Sequence, residues 1–574
     1  MPGPGVETCR LGDEGDAAFT WPALGHDRDR HRFFSRSKSR STCRRRARFA
    51  SPAPPGTPPG RRLPGATGRF CHSSAPAPGL PYLPGHPRCG RGSRKPALPP
   101  VGGRATSPFF AERTVLAVVH SYWVHGVEGQ SVRVEVKVQK GLPIFTVVGL
   151  PAGAVREGKE RVFAALAQTG LALPPRRITV NLAPADLPKS GSGFDLPIAI
   201  ALLAAFGHVA PASLSRSAFV GELGLDGSVR RVRGAIALAM RCRADGRARL
   251  FVPGGNAGEA SAVPGIDVAG VWGLEELIGI LRGERAPVAA AASQPLPPAA
   301  QPDLREVRGQ ALAKRALMIA AAGGHSLLMS GPPGAGKTML ARRLPGILPP
   351  LSEAESLEVT RVHSVAGLLD QDHPVKTVRP FRAPHHTISA GGLIGGGNPP
   401  RPGEISLAHL GVLFLDELPE FSRAVLETLR QPIESGYARI ARVRHTVTFP
   451  ARFQLLAAMN PCPCGMTGDD CICRDREVHR YRSRLSGPLL DRVDLQIPVA
   501  PVGWEQLTGA ADALQPDSGA VREAVVRARA RQAVRRCAGR PVLNALVPAR
   551  EVMEVCRLTD AGENLLEEGV RRYR

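Results

Sequence analysis

One short motif limits the possible folds of this chain more than any other feature. Residues 331–338 read GPPGAGKT, which matches the pattern G-x-x-x-x-G-K-[ST]. The apolar residues 326–329 before it predict a strand, and residues 339–344 after it predict the start of a helix. Glycine is needed in such a loop because backbone N–H groups converge there on phosphate oxygens, and a Cβ would block the approach. The motif therefore predicts an α/β domain with a nucleotide-binding parallel sheet.

Each residue of the loop has a predicted part in nucleotide binding. Lys337 neutralises the β and γ oxygens, the Thr338 hydroxyl ligates Mg²⁺, and the start of the following helix adds partial positive charge. ATP and Mg²⁺ are therefore the expected cofactors. The predicted cofactor-binding residues are Gly331, Pro332, Pro333, Gly334, Ala335, Gly336, Lys337 and Thr338.

Two further strand ends carry polar residues that suit the same site. Residues 412–415 form a continuous apolar run typical of a buried parallel strand, and Asp416 and Glu417 follow it. Ligands bind at this end of the strands in doubly wound sheets. We predict that Asp416 holds Mg²⁺ through water and that Glu417 polarises the attacking water. A strand over residues 453–459 ends at Asn460, which we predict to contact that water or the γ-phosphate.

The net charge of +25 is unevenly distributed over the 574 residues. Residues 1–112 carry 19 Lys and Arg against 7 Asp and Glu, and they hold 18 of the 55 prolines. A segment of this composition cannot bury a core, so we predict a disordered Pro/Arg-rich extension, including the case of a mis-annotated start. A basic arm that binds nucleic acid is the alternative interpretation.

Composition also argues against several protein classes. The chain has no run of 18 or more apolar residues, so we expect no membrane-spanning helix and no membrane partner. The first residues lack a basic stretch followed by an apolar one, so we expect no secretory signal. The 11 cysteines do not form a regular disulfide framework. These observations predict a cytoplasmic protein.

Residues 113–285 predict an α+β domain. The predicted strands are 131–139, 143–150, 177–182 and 249–252, the predicted helices are 155–168 and 194–206, and a hairpin over 219–229 turns at Asp226 and Gly227. An Ala- and Pro-rich linker follows over residues 286–302. The nucleotide-binding domain then occupies residues 303–501. Residues 502–574 are expected to form a C-terminal helical domain, with a charged helical stretch from residue 518 onward.

Two groups of residues are candidate metal ligands. Four thiols lie within 12 residues, which suits a tetrahedral Zn²⁺ site, although C-x-C is tighter than the usual zinc spacing. A redox pair and free thiols are the alternatives. The adjacent His385 and His386 are weaker candidates, because loop or interface histidines are the favoured interpretation. The four thiols belong to Cys462, Cys464, Cys471 and Cys473.

A string of motifs in order makes the chain similar to a known family. The segments GPPGAGKT, GVLFLDELPEF, LLAAMNPCPCG and SGPLLDRVDL resemble the AAA+ ATPases of the magnesium-chelatase-like group, and within it the ComM (YifB) family. The resemblance covers residues 115–574 and includes VNLAPADLPKSGSGFDLPIAI, RPFRAPHHTISAGGLIGGGNPPRPGEISLAH and LRQPIESG. It implies an AAA+ P-loop domain with a parallel sheet, and a homo-oligomer, a hexameric ring, with ATP bound between subunits.

The resemblance also implies an arginine that acts on the neighbouring subunit. Arg492, in LLDRVD, matches the family's position for a finger that reaches the neighbour's γ-phosphate. A guanidinium supplied in this way stabilises transition-state charge and couples hydrolysis to assembly. Arg482 and Arg484 compete for this role, and an ordinary surface arginine is the simplest alternative. The predicted catalytic residues are thus Lys337, Asp416, Glu417, Asn460 and Arg492.

Two insertions follow from the resemblance as well. Residues 379–404 would form a glycine-rich, helix-interrupting loop, and residues 436–449 would form a hairpin before the third strand. Alternate basic residues place charge along one face of such a hairpin, where they would contact DNA phosphates, single-stranded or branched, without reading sequence. A solvated edge hairpin protected by its arginines is the alternative. These predicted DNA-binding residues are Arg439, Arg442 and Arg444.

The N-terminal domain resembles the Lon-protease-type (S5-type) domain. Lon proteolysis uses a Ser–Lys dyad, and Ser192 in KSGSGFD matches the serine position. The lysine position falls near Ile236, where the chain has no lysine. We therefore expect this domain to be proteolytically inactive and to serve as an assembly or DNA-binding platform.

Two departures from the family accompany these motifs. Residues before 115 have no counterpart in the family, and the family continues beyond Arg574 with a helix that bears a further arginine. We therefore predict an incomplete helical lid, with a truncated gene model or frameshift as the expected cause. ATP turnover would be impaired if the natural product ended at Arg574.

The function implied by the resemblance is that of an ATP-hydrolysing ring motor acting on DNA. Such a helicase would promote branch migration during natural transformation and recombination. A magnesium-chelatase-type motor subunit is the first alternative. A nucleotide-dependent scaffold without turnover is the second.

Overall fold

A computed structural model describes residues 115–186, 188–288, 301–441, 446–466, 470–508, 516–537 and 540–573. The predicted extension over residues 1–112 and most of the predicted linker lie outside these ranges, and so do Arg442 and Arg444. The chain divides into two compact units, of which the larger spans Thr106–Val555. In the part of the chain that the structure describes, no helix combines the length and the apolar character needed to cross a bilayer.

The N-terminal body of the larger unit contains a seven-stranded mixed sheet with the order β3-β4-β2-β1-β5-β8-β9. The strands are β1 Val115–His125, β2 Glu128–Gln139, β3 Phe145–Val148, β4 Arg177–Ala183, β5 Ser217–Phe219, β8 Arg249–Pro253 and β9 Asp267–Val271, and β6 Glu222–Leu223 pairs with β7 Val229–Arg230 outside the sheet. The helices are α1 Gly153–Gln168, α2 Asp195–Ala205, α3 Ala235–Ala244, α4 Ala257–Ser261 and α5 Leu274–Arg282. The described residues 115–186 and 188–285 therefore form a body of mixed α and β structure, and its predicted boundaries stay predictions.

The packing of this body follows from its sequence patterns. Val132, Val134 and Val136 alternate with polar residues in β2 and are buried at 2% exposure or less, so one face of the strand packs on the core. Every residue of α2 is buried, because its sequence DLPIAIALLAA is apolar almost throughout. The predicted hairpin over 219–229 is partly wrong. Residues 217–219 join the main sheet as β5, and only β6 and β7 pair around the turn at Gly227.

The second body contains a five-stranded parallel sheet with the order β11-β14-β17-β10-β18. These strands are β10 Leu327–Ser330, β11 Phe381–Arg382, β14 Val412–Leu415, β17 Gln454–Met459 and β18 Leu495–Pro498. Three two-stranded ladders lie outside the sheet, namely β12 Gly395–Gly396 with β13 Arg401–Pro402, β15 Tyr437–Ala441 with β16 Thr446–Pro450, and β19 Arg536–Cys537 with β20 Arg540–Pro541. The predicted α/β sheet is thus present, with the strand before GPPGAGKT between β17 and β18.

Helices cover both faces of this sheet, and two separate apolar clusters fill the space beneath them. The helices of the body are α6 Ala311–Gly323, α7 Lys337–Ala341, α8 Leu344–Ile347, α9 Glu353–Ala366, α10 Ala390–Ile394, α11 Glu404–Leu407, α12 Arg423–Thr428, α13 Arg430–Ser435, α14 Asp475–Arg482, α15 Gly487–Leu490, α16 Trp504–Thr508, α17 Ser518–Val534 and α18 Ala549–Val555. A last helix, α19 Asp560–Tyr573, belongs to the second compact unit.

The charged stretch from residue 518 onward is not one continuous helix. Helix α17 ends at Val534, and the β19–β20 ladder separates it from α18. Val521 and Val525 of α17 are buried in the apolar cluster that also contains residues of α6 and α8. This helix therefore packs on the nucleotide-binding body instead of standing apart as a solvated charged segment.

The N-terminal body and the nucleotide-binding body are in direct contact. Val127, in the turn between β1 and β2, is 3% exposed and packs in the apolar cluster of the second body. Next to it, Glu128 forms an ion pair with Arg361 of α9, with 3.0 Å between Oε1 and Nη1. Leu357 of the same helix packs against the cluster that covers α3. The two bodies are therefore separate in sequence but share a packed interface.

Candidate active site

The GPPGAGKT loop connects β10 to α7 at the carboxyl end of the parallel sheet. Two of its glycines, Gly334 and Gly336, have φ angles of +78° and +86°, a region that other residues rarely occupy. A Cβ on Gly331 would collide with the carbonyl oxygen of Val499 at the end of β18. Gly334 and Gly336 are therefore required by the backbone of the loop itself and Gly331 by the neighbouring Val499, before any ligand is considered.

The ammonium group of Lys337 lies at the centre of the loop. It donates hydrogen bonds to the carbonyl oxygens of Gly331 at 2.7 Å and Pro332 at 2.9 Å, and to Oδ1 of Asn460 at 3.1 Å. Burial lowers the pKa of Lys337, while the charges of Asp416 and Glu417 act in the opposite direction. The structure thus brings together two predicted catalytic residues, Lys337 and Asn460, from the ends of adjacent strands.

Thr338 and Asp416 form the second part of the site. The Thr338 hydroxyl donates a hydrogen bond of 2.6 Å to Oδ2 of Asp416, whose Oδ1 accepts one of 3.0 Å from the backbone N–H of Glu417. A hydroxyl and a carboxylate are the hard oxygen ligands that Mg²⁺ prefers. These residues therefore fit the predicted Mg²⁺ site, and the glycine-lined loop beside them fits the phosphates that the ion would bridge.

Glu417 lines a cavity of about 310 Å³ next to this pair. Glu417 follows the end of β14 with a φ of +52°, in the left-handed region, and its side chain is 54% exposed. Oε2 of Glu417 lies 3.4 Å from Nδ1 of His386. The cavity is lined by Thr338, Arg342, Phe381, Ala383, Pro384, His385, His386, Phe414, Asp416 and Glu417.

The two histidines lie in the loop between β11 and α10, which agrees with the expectation of loop or interface residues, with metal binding as the weaker alternative. The sequence did not indicate that both line the cavity beside the predicted catalytic glutamate. Their ring centroids are 4.1 Å apart, with the two ring planes tilted by 34°. No spacing rule connects residue 386 with residue 417, so only the fold reveals this contact.

The three arginine candidates all interact within their own chain. Arg492 forms an ion pair with Glu434, and its side chain is 41% exposed. Arg484 donates to Oε2 of Glu420 at 2.9 Å, and Arg482 donates to the carbonyl oxygen of Pro461 at 3.2 Å. Geometry within one subunit therefore does not distinguish the three candidates.

The predicted hairpin is present as β15 and β16, with Gly436 at its start. Ala438 and Ile440 are buried on one face, whereas Tyr437 and Arg439 are exposed on the other. Arg439 therefore lies on a face that a ligand can reach. Arg442 and Arg444 lie outside the described residues, so their place on the hairpin stays a prediction.

The predicted insertion over residues 379–404 contains more regular structure than a glycine-rich loop suggests. Strand β11, helix α10 and the β12–β13 ladder all form within it. A Cβ on Gly395 would lie 2.9 Å from Cδ1 of Ile440, so the insertion packs against the buried face of the β15–β16 hairpin. The two insertions therefore form one contacting group rather than two independent loops.

The four clustered cysteines converge as their spacing predicts. Their sulfur atoms all lie within 4.8 Å of one another, and three of the pairs measure 3.2, 3.6 and 3.7 Å. These separations are too long for disulfides, which are about 2.05 Å. Burial raises the pKa of Cys462 to about 12, whereas the backbone hydrogen bond from Met466 contributes most to lowering the pKa of Cys464 to about 6. The donor set suits a soft cation held by four sulfurs.

The N-terminal body places the predicted protease serine next to a carboxylate. The Ser192 hydroxyl donates to Oε2 of Glu222, and Ile236 is buried at the start of α3. A lysine that the sequence reasoning did not consider, Lys189, is 1% exposed and donates to the carbonyl oxygen of Pro184. The Ser192 hydroxyl therefore donates to a glutamate carboxylate, whereas a Ser–Lys dyad needs a lysine as its base.

Comparison with known proteins identifies the family of the chain. The family described as magnesium chelatase, subunit ChlI, matches residues 303–507, and the related description, subunit ChlI of Mg-chelatase, matches residues 134–256. The protein YifB of Salmonella typhimurium is 44% identical over 458 residues, which are 79% of this chain and 88% of that protein. The competence protein ComM of Haemophilus influenzae is 44% identical over 465 residues, which are 80% and 90% of the two chains.

A more distant relative shares a shorter stretch of sequence with this chain. The magnesium-chelatase 67 kDa subunit of Heliobacterium mobile is 28% identical over 196 residues, which are 29% of this chain and 29% of that protein. The parallel sheet, the phosphate-binding loop and the two well-covered relatives agree with one another. The chain belongs to the magnesium-chelatase-like family of AAA+ proteins, in its ComM (YifB) group.

Proposed function

We propose that this protein is an ATP-hydrolysing ring motor that acts on DNA. The observation that carries the ATPase part is the convergence of Lys337, Thr338, Asp416 and Glu417 at one end of the parallel sheet. The DNA part is supported by the exposed Arg439 on the β15–β16 hairpin and by the similarity to a competence protein. Branch migration of DNA during natural transformation is the activity that we infer from these two observations.

Each residue of the site has a defined task in hydrolysis. The ammonium group of Lys337 would leave its carbonyl partners to neutralise the β and γ oxygens of ATP, and Asn460 would hold the γ-phosphate or the attacking water. Glu417 would accept the proton of that water as it attacks. Thr338 and Asp416 would hold Mg²⁺, which supplies charge neutralisation on the phosphates when it is bound.

We infer that the ring is a homohexamer in which Arg492 completes the neighbour's site. This guanidinium would stabilise charge on the transferred phosphoryl group, so turnover would depend on assembly. Its ion pair with Glu434 would have to open or shift when the neighbour binds ATP. We place the assembly in the cytoplasm, because unpaired clustered thiols persist in a reducing compartment.

The cysteine cluster would hold a structural Zn²⁺. Four sulfurs at about 2.3 Å from a tetrahedral ion lie about 3.8 Å apart, close to the separations of 3.6 and 3.7 Å seen here. Proteolysis by the N-terminal body is not part of the proposal, because its Ser192 contacts Glu222. We propose instead that this body serves as a platform for assembly or DNA binding.

Salt-dependent DNA binding tests the proposed partner. A ring that contacts phosphates through the hairpin loses affinity for DNA as salt increases, with a slope set by the number of contacts. Arg439→Ala should lower this slope by about one unit, whereas Arg527→Ala, at an exposed position of α17 outside the hairpin and the N-terminal body, should leave it unchanged. A magnesium-chelatase motor, the first alternative, would show no salt-sensitive binding to DNA. A nucleotide-dependent scaffold, the second alternative, would bind ATP without hydrolysing it.

A further inference from the structure

The loop that carries the cysteine cluster lies directly against the phosphate-binding loop. Gly465, between Cys464 and Met466, approaches Pro333 so closely that a Cβ would lie 2.7 Å from the proline Cδ and 2.8 Å from its Cγ. Gly465 also has a φ of +80° and closes a turn by donating to the carbonyl oxygen of Cys462 at 3.1 Å. The contact therefore joins the cysteine turn to the second proline of GPPGAGKT.

The same loop is connected to the rest of the site on both sides. Asn460 comes just before the first cysteine, and its amide oxygen accepts the hydrogen bond of 3.1 Å from Lys337. Arg482 of α14, the helix that follows the loop, donates to the carbonyl oxygen of Pro461, at the start of the loop, at 3.2 Å. The cysteine loop thus lies between the lysine that would hold the phosphates and the segment that carries the arginine candidates.

The sulfur atoms are the main link between the two arms of this loop. Among the described residues between β17 and α14 there is no α-helix or β-strand. The arm with Cys462 and Cys464 meets the arm with Cys471 and Cys473 through the sulfur cluster and through the backbone N–H of Cys464, which lies 3.4 Å from Sγ of Cys473. Weak thiol hydrogen bonds alone would leave such a loop poorly held, whereas four metal–thiolate bonds would fix it.

We infer that Zn²⁺ bound by Cys462, Cys464, Cys471 and Cys473 supports the phosphate-binding loop, so that nucleotide affinity depends on zinc occupancy. The inference rests on the zinc site proposed above and extends it from a structural role to control of the ATP site. The ion acts on the nucleotide through the Gly465–Pro333 contact and the Asn460–Lys337 hydrogen bond, and it does not touch the nucleotide itself.

Zinc content and nucleotide affinity of the full chain together test this inference. We expect about one zinc ion per chain by elemental analysis. Removal of zinc with a strong chelator should weaken binding of a fluorescent methylanthraniloyl-ADP roughly tenfold, and added Zn²⁺ should restore it. The double variant Cys471→Ser with Cys473→Ser should behave like the stripped protein. The control Cys556→Ser, at an exposed cysteine outside the cluster, should behave like the parent.

A second variant tests the Gly465–Pro333 contact separately from zinc binding. Gly465→Ala keeps all four thiols but pushes against Pro333, so it should retain zinc and still bind the probe more weakly. If thermal unfolding shows that the zinc-stripped chain is no longer folded, probe binding by the Gly465→Ala variant alone tests the inference. Zinc-stripped protein or Gly465→Ala protein that stays folded and binds the probe as tightly as the parent would overturn the inference. A chain that takes up no zinc would overturn the zinc site, and neither result depends on DNA.

Discussion

The hydroxyl of Thr338 donates a hydrogen bond of 2.6 Å to Oδ2 of Asp416 and so joins the phosphate-binding loop to the end of β14. The two residues are far apart in sequence and follow strands that are not adjacent, since β17 lies between β10 and β14. The parallel arrangement of the sheet brings them together, because all its strands end at the same edge. We propose that these two residues would hold Mg²⁺, which would neutralise charge on the phosphates of the nucleotide.

Asp416→Asn tests the charge of this pair while preserving its shape. The amide oxygen still accepts from Thr338, but one negative charge beside the cation is lost. We expect Mg²⁺-dependent ATP turnover to fall by about a hundredfold or more, with nucleotide binding in the absence of Mg²⁺ nearly unchanged. Turnover and probe binding with and without Mg²⁺ provide the measurement. Turnover close to that of the parent would argue against a metal role for Asp416.

The contact between His386 and Glu417 predicts a graded pair of variants. Glu417→Gln removes the proton acceptor, so turnover should fall by about a hundredfold or more, with nucleotide binding retained. His386→Ala leaves the acceptor in place but removes the ring that lies 3.4 Å from it, so turnover should fall less. Single-turnover hydrolysis with saturating ATP measures both effects. Equal losses would show that His386 does more than orient the glutamate.

Mixing variants tests whether Arg492 acts on the neighbouring subunit. Arg492→Ala and Lys337→Ala should each lack turnover on their own, since one lacks the finger and the other the phosphate-binding lysine. In mixed rings, Lys337→Ala subunits supply Arg492 to the intact sites of Arg492→Ala subunits, so part of the turnover should return. The same mixture with Arg482→Ala or Arg484→Ala identifies which arginine behaves in this way. A mixture without any gain would exclude action between subunits for that arginine.

The interface between the two bodies predicts a change in unfolding behaviour. Val127→Asp places a carboxylate in an apolar cluster, at a position where the valine is 3% exposed, and burial of a charge among apolar side chains costs several kcal/mol. In calorimetry, we expect the larger unit of the parent to unfold in one cooperative transition and that of the Val127→Asp variant to unfold in two. Val118→Asp is the matched control, because Val118 of β1 is 41% exposed. A single unchanged transition in the Val127 variant would show that the bodies are not coupled there.

Much of the nucleotide site could be predicted because its elements are local. The apolar run over residues 412–415 defines β14 to the residue, since a strand buried on both faces needs no alternation. The GPPGAGKT loop is equally local, because Gly334 and Gly336 are required by the φ angles of the loop itself. Strands β15 and β16 of the predicted hairpin also pair in antiparallel register, on either side of residues that lie outside the described ranges.

What could not be predicted depends on contacts between distant parts of the chain. The eleven-residue strand β1 lacks a regular alternation, because Ser121, Tyr122 and Trp123 are all buried in succession. Its burial is decided by helices on both sides of the sheet, which no local pattern shows. The same holds for His386 beside Glu417 and for Gly465 against Pro333, since each contact joins residues that only the fold places together.

ATP hydrolysis measured with and without branched DNA tests the central claim most directly. The protein should hydrolyse ATP slowly alone and several times faster with branched DNA, because a translocating ring couples turnover to its track. Glu417→Gln should abolish both rates, and Arg439→Ala should reduce the stimulation but not the basal rate. Hydrolysis that is present but unaffected by any DNA, together with no salt-sensitive DNA binding, would contradict the account.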